Sequence, residues 1–318
     1  MKLPFTIYDL RFTICRKSVE FPAFNHQSST RLGEASGAAR VVNHKFRRAF
    51  TLIEMLVVLA IMAILAALVL PALKNFGHSD AMLAATQQML GDVGRARQLA
   101  MSQRTTVYMV FVPEGFWVDG TGNFPNPWWN GLTPAQQTAA TNLCDGQLTG
   151  YTFIAQGAVG DQPGHHLWHY LAPWQTLPDG TFIAQWKFPP STTPFTFNDP
   201  IDPAKTFSVY PFDYNSNIPF PTETATNGIS LPYIAFNYLG QLTTNGVDMA
   251  AAPAYIPLAR GNVLPAIDPN TKAFVLTNLP AGDPQVLEIP PGNSTNTYNV
   301  IHIDPLTGRA TLETPQMQ

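Results

Sequence analysis

The chain has 318 residues, of which 12% are charged and 45% hydrophobic, with 29 prolines and two cysteines. Removal of the first 49 residues would leave Cys144 alone and no zinc site built on cysteine pairs, and most prolines lie beyond position 110, which suits short strands and long loops better than a helical bundle. The formal charge of -3 hides an asymmetry: residues 1–49 carry 9 Lys+Arg against 3 Asp+Glu, and the remainder carries 9 against 18. A basic head, an apolar run and an acidic body form a membrane-topology pattern. No basic stripe interleaved with aromatics follows, so no nucleic-acid partner is expected.

The first element in chain order is the apolar run. Met55 to Leu70 carries no charged or polar side chain, and residues 50–73 hold a single charge, Glu54. Those 24 residues, helical at about 1.5 Å each, are long enough to span a hydrocarbon core of roughly 30 Å. Three readings compete. A cleaved secretory signal has a shorter apolar core and a small-x-small site after it, which the following residues match poorly. A plain signal anchor has no use for Glu54, an ionisable group that is costly inside an apolar helix, unless it snorkels to the interface. The third reading is a precursor cut before the run so that the helix is kept, with Glu54 meeting a positive charge from outside the helix.

The residues Arg47-Arg48-Ala49-Phe50-Thr51-Leu52-Ile53-Glu54-Met55-Leu56-Val57-Val58 resemble the prepilin-type cleavage and methylation motif of type IV pilins and type II secretion pseudopilins. The resemblance implies that prepilin peptidase cuts the Ala49–Phe50 bond after the basic pair Arg47, Arg48, and N-methylates Phe50. It further implies that Glu54 neutralises the terminal amine of a neighbouring subunit, and that Pro71 is the kink proline of the helix. Two opposite charges attract strongly in a low dielectric, which offsets the cost of burying each. The family usually has Gly where this chain has Ala49, and the leader of 49 residues is unusually long. Its removal leaves Cys144 as the only thiol, with no intrachain disulfide.

Helical periodicity continues past Pro71. Met82, Met89, Val93, Ala96 and Ala100 share one face, with Gln87, Gln88, Asp92, Arg95 and Gln98 largely elsewhere. The stripe predicts packing against a sheet, with the helix ending near Gln103-Arg104. The β-branched run Thr105-Thr106-Val107-Tyr108-Met109-Val110-Phe111-Val112 predicts the first strand. The junction Ala96-Arg97-Gln98-Leu99-Ala100-Met101-Ser102-Gln103-Arg104-Thr105-Thr106-Val107 is similar to the helix-to-strand segment of the minor pseudopilin general secretion protein H and its FimT-like relatives. Ile234-Ala235-Phe236-Asn237-Tyr238-Leu239-Gly240-Gln241-Leu242 resembles their strand-Gly-strand hairpin. Val300-Ile301-His302-Ile303-Asp304-Pro305-Leu306-Thr307-Gly308-Arg309-Ala310 resembles their final hairpin. Residues 113–232 lie outside the resemblance and read as a loop-rich insertion, with short strands at Tyr151–Ile154 and Phe182–Trp186.

Other constellations are weak. His165 and His169 lie four apart with His166 between them and Asp161 nearby, a spacing that can hold a metal on a helix, but Pro163 and Gly164 argue for a surface or packing role. Asp199, Asp202 and Asp213 match no calcium loop and read as turn residues. Trp128, Trp129, Trp168 and Trp174 are read as packing of a loop-rich domain, with partner or glycan binding as the alternative. Cys144 reads as an inert thiol. No phosphate loop, nucleophile elbow or paired-carboxylate motif is present.

The expected architecture is therefore α+β and pilin-like: a long N-terminal helix, membrane-spanning in its first half, packed on antiparallel sheet. The expected divisions are a basic leader at 1–49, an assembly helix at 50–78 and an extracytoplasmic β domain at 79–318 with its insertion at 113–232. No enzymatic activity, metal or cofactor is expected. The resemblance implies a minor filament subunit held in the inner membrane with a cytoplasmic N-terminus. Its partners would be prepilin peptidase, other pilin or pseudopilin subunits, the inner-membrane assembly platform and membrane lipid. A signal-anchored binding protein and a membrane-tethered enzyme are the alternatives.

Overall fold

The computed structural model describes residues 51–157, 160–161, 167–190, 193–198, 206–296 and 299–313, with the backbone alone over 68–80. The chain divides into two units, Met1–Val57 and Val58–Gln318. Of the first, the described part is residues 51–57.

The helix expected over 50–104 runs Leu52–Gln103 (α1). Thr51 starts it: the Glu54 amide donates to the Thr51 carbonyl at 3.1 Å and to its hydroxyl at 3.3 Å, satisfying a donor that a helix start leaves unpaired. At the far end Arg104 takes a left-handed φ of 51° and the Thr105 amide closes on the Ala100 carbonyl. The predicted stripe of Met82, Met89, Val93, Ala96 and Ala100 is buried, joined by Ala85.

The strand predicted at 105–112 is Val107–Phe111 (β1). It lies inside an antiparallel sheet with Gly150–Gln156 (β2), Trp168–Tyr170 (β3), Gln175–Thr176 (β4), Asp213–Pro219 (β8), Gly228–Phe236 (β9) and Leu242–Thr243 (β10). The path order is β10-β9-β1-β2-β3, with β4 on β2 and β8 on β9. A second antiparallel sheet holds Thr181–Ile183 (β5), Ala254–Leu264 (β11), Gln285–Glu288 (β12), Asn299–Ile303 (β13) and Ala310–Glu313 (β14). Phe195–Asn198 (β6) and Thr206–Val209 (β7) pair as a separate hairpin. Two short helices, Pro134–Asn142 (α2) and Asn293–Asn296 (α3), complete the elements used below. α2 opens with a capping box in which Thr133 and Gln136 bond reciprocally.

β1 explains the layering. Val107, Met109 and Phe111 join the cluster that α1 covers, through Met89, Val93, Ala96 and Ala100. Tyr108, Val110 and Val112 face a second cluster with Trp117, Trp128, Phe220 and Tyr233. Both faces are buried, so the strand reads as an unbroken apolar run rather than an alternation. The segment 113–132 and the loop 220–227 between β8 and β9 supply the second cover. The segment read as an insertion thus contributes β2, paired with β1 over five positions from Val107↔Ala155 to Phe111↔Tyr151.

Candidate assembly site

The N-terminal face of α1 is built from exposed apolar side chains. Leu52 is 84% exposed, and Ile53, Met55, Leu56, Val57, Val58, Leu59, Ile61, Met62, Ile64 and Leu65 are all open. Glu54, in the first turn, is exposed as well. A carboxylate there is favoured by the partial positive charge of the helix start. Thr51 ties only the backbone of Glu54 and leaves its carboxylate without a hydrogen bond or ion pair among the described residues. Among the described residues no helix is long and apolar enough to cross a membrane. Arg47, Arg48, Ala49 and Phe50 lie outside the described residues. At Pro71 the helical assignment continues unbroken, and its ring belongs to the undescribed side chains.

Further along α1, three segments that are far apart in the chain meet at Arg97. Its Nε–H is shared between the carbonyls of Thr307 at 2.7 Å and Gly240 at 3.2 Å. The Gly240 turn is held by Asn237, whose Oδ1 accepts from the amides of Leu239 and Gln241, each at 3.0 Å. The Gly308 turn is held by Asp304, whose Oδ1 accepts from the Thr307 amide at 2.7 Å and its hydroxyl at 2.8 Å. Those bonds pull the Asp304 carboxyl below its ordinary range. Both glycines sit at left-handed φ, 77° and 60°. A Cβ at Gly308 would fall 2.1 Å from the Gly240 carbonyl oxygen and 3.2 Å from Arg97 Cδ. The helix-to-strand junction and both hairpin turns singled out in the sequence therefore form one junction.

The polar face of α1 is also engaged. Tyr151 donates to Asp92 Oδ2 at 2.5 Å, and Gln88 Nε2 donates to the Tyr151 hydroxyl at 2.7 Å and the Thr176 carbonyl at 3.0 Å. Burial and the neighbouring Asp92 push the Tyr151 phenol well up. Arg95 lies over the Phe153 ring, 5.6 Å from its centroid. These contacts fix the rotation of the helix against β2, a role that charge and spacing alone did not assign to them.

Of the remaining constellations, the described members are packed or hydrogen-bonded. His165, His166, Asp199 and Asp202 lie outside the described residues. His169 has both ring nitrogens against carboxylates, Nε2 at 3.0 Å from Asp161 Oδ2 and Nδ1 at 3.2 Å from Glu223 Oε1. Among the described residues no group of three His, Cys, Asp or Glu is placed to hold a metal. Trp128 is buried, Trp174 Nε1 donates to the Pro221 carbonyl at 2.9 Å, and Trp168 packs edge-on to Tyr108. Burial pushes the Cys144 thiol up to about 12, so it is protonated and unreactive near neutrality. Asp213 is raised by burial and faces Lys187, which desolvation lowers to about 7. Lys187 donates to the Tyr210 carbonyl and lies 4.6 Å from the Phe212 ring centroid. Nothing in the run Gln185-Trp186-Lys187-Phe188 marks that lysine as buried.

The His169 clamp has a pH signature. Hydrogen bonding to Asp161, with the charges of Asp161 and Glu223, raises the imidazolium pKa above its ordinary 6.5. A raised histidine pKa stabilises the fold fully below the unfolded value, and that contribution is lost as pH rises through the folded value. The Tyr170 amide, which donates to Glu223 Oε2 at 3.1 Å, is the local reporter. Its hydrogen-exchange protection is expected to fall from about pH 6.5 upward, after correction for intrinsic exchange, and His169→Gln is expected to flatten the profile. An unchanged profile in the variant would remove the clamp as the cause.

Comparison with known proteins adds one match. Residues 44–70 match the family described as the prokaryotic N-terminal methylation motif. The motif indicates a type IV pilin-like substrate of prepilin peptidase, and with it assembly among pilin subunits. No curated protein and no solved structure matches the chain.

Proposed function

We propose that this chain is a minor subunit of a type II secretion pseudopilus or a type IV pilus-like filament, of the general secretion protein H and FimT-like kind. Prepilin peptidase cuts Ala49–Phe50 behind Arg47 and Arg48 and methylates Phe50. The precursor sits in the inner membrane with its N-terminus cytoplasmic and the β domain extracytoplasmic. The assembly platform then moves it into a filament, where the apolar face of α1 packs against neighbouring helices and Glu54 meets a terminal amine. Pro71 adapts the helix to that packing.

The observation that carries this reading is the continuity of the methylation motif at 44–70 with a helix whose apolar side chains from Leu52 to Leu65 are exposed. Exposed apolar surface on that scale marks an interaction or membrane surface. The size of the β domain, about 240 residues, favours a low-abundance position over the repeated shaft.

The test is the mass and N-terminal sequence of the protein recovered from membranes of cells with and without prepilin peptidase. The expected product begins at Phe50, carries one methyl group, and is absent without the enzyme. Retention of Arg47-Arg48-Ala49 in both strains would sink the reading and make the signal-anchored binding protein the leading one.

A further inference from the structure

The second sheet carries a cation, Arg260, that has no counter-charge among the described residues. Arg260 lies on β11, two residues beyond Leu258, so both side chains point to the face that α1 covers. Its backbone is fully engaged: the amide donates to Asn293 Oδ1 at 2.8 Å, and the carbonyl accepts from Asn293 Nδ2 at 2.7 Å. The guanidinium is not. Nε is buried without a hydrogen-bond partner, and no carboxylate forms an ion pair with it among the described residues. The nearby carboxylate of Glu288 is turned to Ser294, accepting from its hydroxyl at 2.5 Å and its amide at 3.4 Å.

Arg260 lines a cavity of about 320 Å³ whose other walls are Met82, Leu83 and Thr86 of α1 with Leu258, Pro290 and Leu312. Asn293 and Asn299 complete it, and among the described residues no acidic side chain lines it. A permanent cation left unpaired in a partly apolar cavity is costly, and the cost is relieved by an anion that brings its own apolar part. The space corresponds to roughly ten water molecules of liquid volume, suited to a headgroup with the start of an alkyl chain and too small for a folded segment. Leu83 is 57% exposed and Leu312 42% exposed, so the apolar wall continues outward from the cavity mouth.

We infer that this cavity binds the anionic headgroup of an amphiphile, a phosphate or carboxylate carried on an alkyl chain, with Arg260 as its charge partner. Position along the helix points to a membrane lipid as the source. Met82 lies nine residues beyond Leu73, the end of the apolar run, about 14 Å along the helix axis. The headgroup layer adds roughly 5–8 Å per leaflet, so the cavity sits just beyond it, where a headgroup can reach the cavity mouth. The placement step rests on the membrane reading above, and the binding step does not.

The test uses the full chain in a neutral maltoside detergent, with bound lipid counted by native mass spectrometry. Phosphatidylglycerol, phosphatidylcholine, decyl phosphate and inorganic phosphate are offered separately to wild type, Arg260→Gln and Leu83→Glu. Leu83→Glu puts a negative charge at the exposed rim without touching the core, so it separates loss of the site from loss of the fold. Wild type is expected to retain one phosphatidylglycerol beyond the shell shared by all lipids, with both variants about tenfold weaker. Decyl phosphate should compete for that site, which would identify the shared chemistry; phosphatidylglycerol binding more tightly than decyl phosphate would identify a lipid source. Equal retention of phosphatidylglycerol by all three proteins, equal binding of phosphatidylcholine, or inorganic phosphate competing as well as decyl phosphate would each overturn the inference. None of these outcomes depends on cleavage at Ala49–Phe50, so this inference and the filament reading can fail separately.

Discussion

Gly308→Ala is expected to destabilise the β domain by about 3–5 kcal/mol, the range reached when backbone strain and lost contacts act together. Two costs combine. A φ of 60° is left-handed, and adding a Cβ there costs about 1–2 kcal/mol. The larger cost is steric, because the new atom would lie 2.1 Å from the Gly240 carbonyl oxygen. That oxygen belongs to backbone, so the clash cannot be relieved by a rotamer change. The two turns must part, which stretches the bond from the Leu242 amide to the Pro305 carbonyl, 3.0 Å, and breaks the shared hydrogen bond of Arg97. For a domain of this size the melting temperature should fall by roughly 6–20 °C. Gly94→Ala is the control. That glycine is an exposed helical position with nothing within 4 Å of its would-be Cβ, so alanine there should be neutral or stabilising by up to about 1 kcal/mol. If Gly308→Ala melted together with Gly94→Ala, the junction would not be a stability determinant.

Glu54→Ala is expected to abolish incorporation into filaments while leaving the precursor folded, inserted and processed. Truncating one partner of a desolvated charge pair costs about 3–5 kcal/mol, because the other charge stays behind unpaired. At about 1.4 kcal/mol per tenfold, each subunit addition would weaken by at least a hundredfold. Glu54→Gln should fail almost as badly, since it keeps the shape and removes the charge. The β domain should melt unchanged in both variants: Glu54 is exposed and its bonds to Thr51 run through its own backbone amide. The measurement is the amount of the chain in sheared filament fractions, set against its amount in membranes. Normal incorporation of Glu54→Ala would end the assembly role of this carboxylate and favour a plain anchor.

Much of this architecture is legible in local pattern. The buried stripe from Met82 to Ala100 follows from the helical period, because a helix against a sheet must turn one face of 3.6-residue spacing inward. β1 follows from its β-branched and aromatic run. The turns at Gly240 and Gly308 follow from glycines placed where the chain must reverse. The methylation motif is local by nature, since a peptidase reads a contiguous segment, and residues 44–70 carry it in one stretch.

Other features depend on residues distant in the chain and left no local sign. The helical period of α1 did not tell that Gln88 and Asp92 would hold the Tyr151 hydroxyl, because that contact exists only once β2 pairs with β1. Residues 113–232 read as an insertion because their apolar pieces are short; β2 is nonetheless interior, since strand order is decided by pairing and not by sequence neighbourhood. Lys187 and Arg260 look like ordinary surface cations in a chain poor in charge, and tertiary packing buries the first and half-buries the second.

The sequence by itself determined the basic head, the apolar run with its single carboxylate, the helical stripe and the reversing glycines, because each is set by hydrophobicity, period or backbone freedom within a few residues. Only the tertiary structure decided that Arg97 joins two turns lying 143 and 210 residues away. It also decided that β1 is buried on both faces and that Arg260 lines a partly apolar cavity with no acidic side chain among the described residues. The physical reason is the same in each case: solvent exclusion and charge pairing are properties of the packed assembly of segments, and no segment carries them alone.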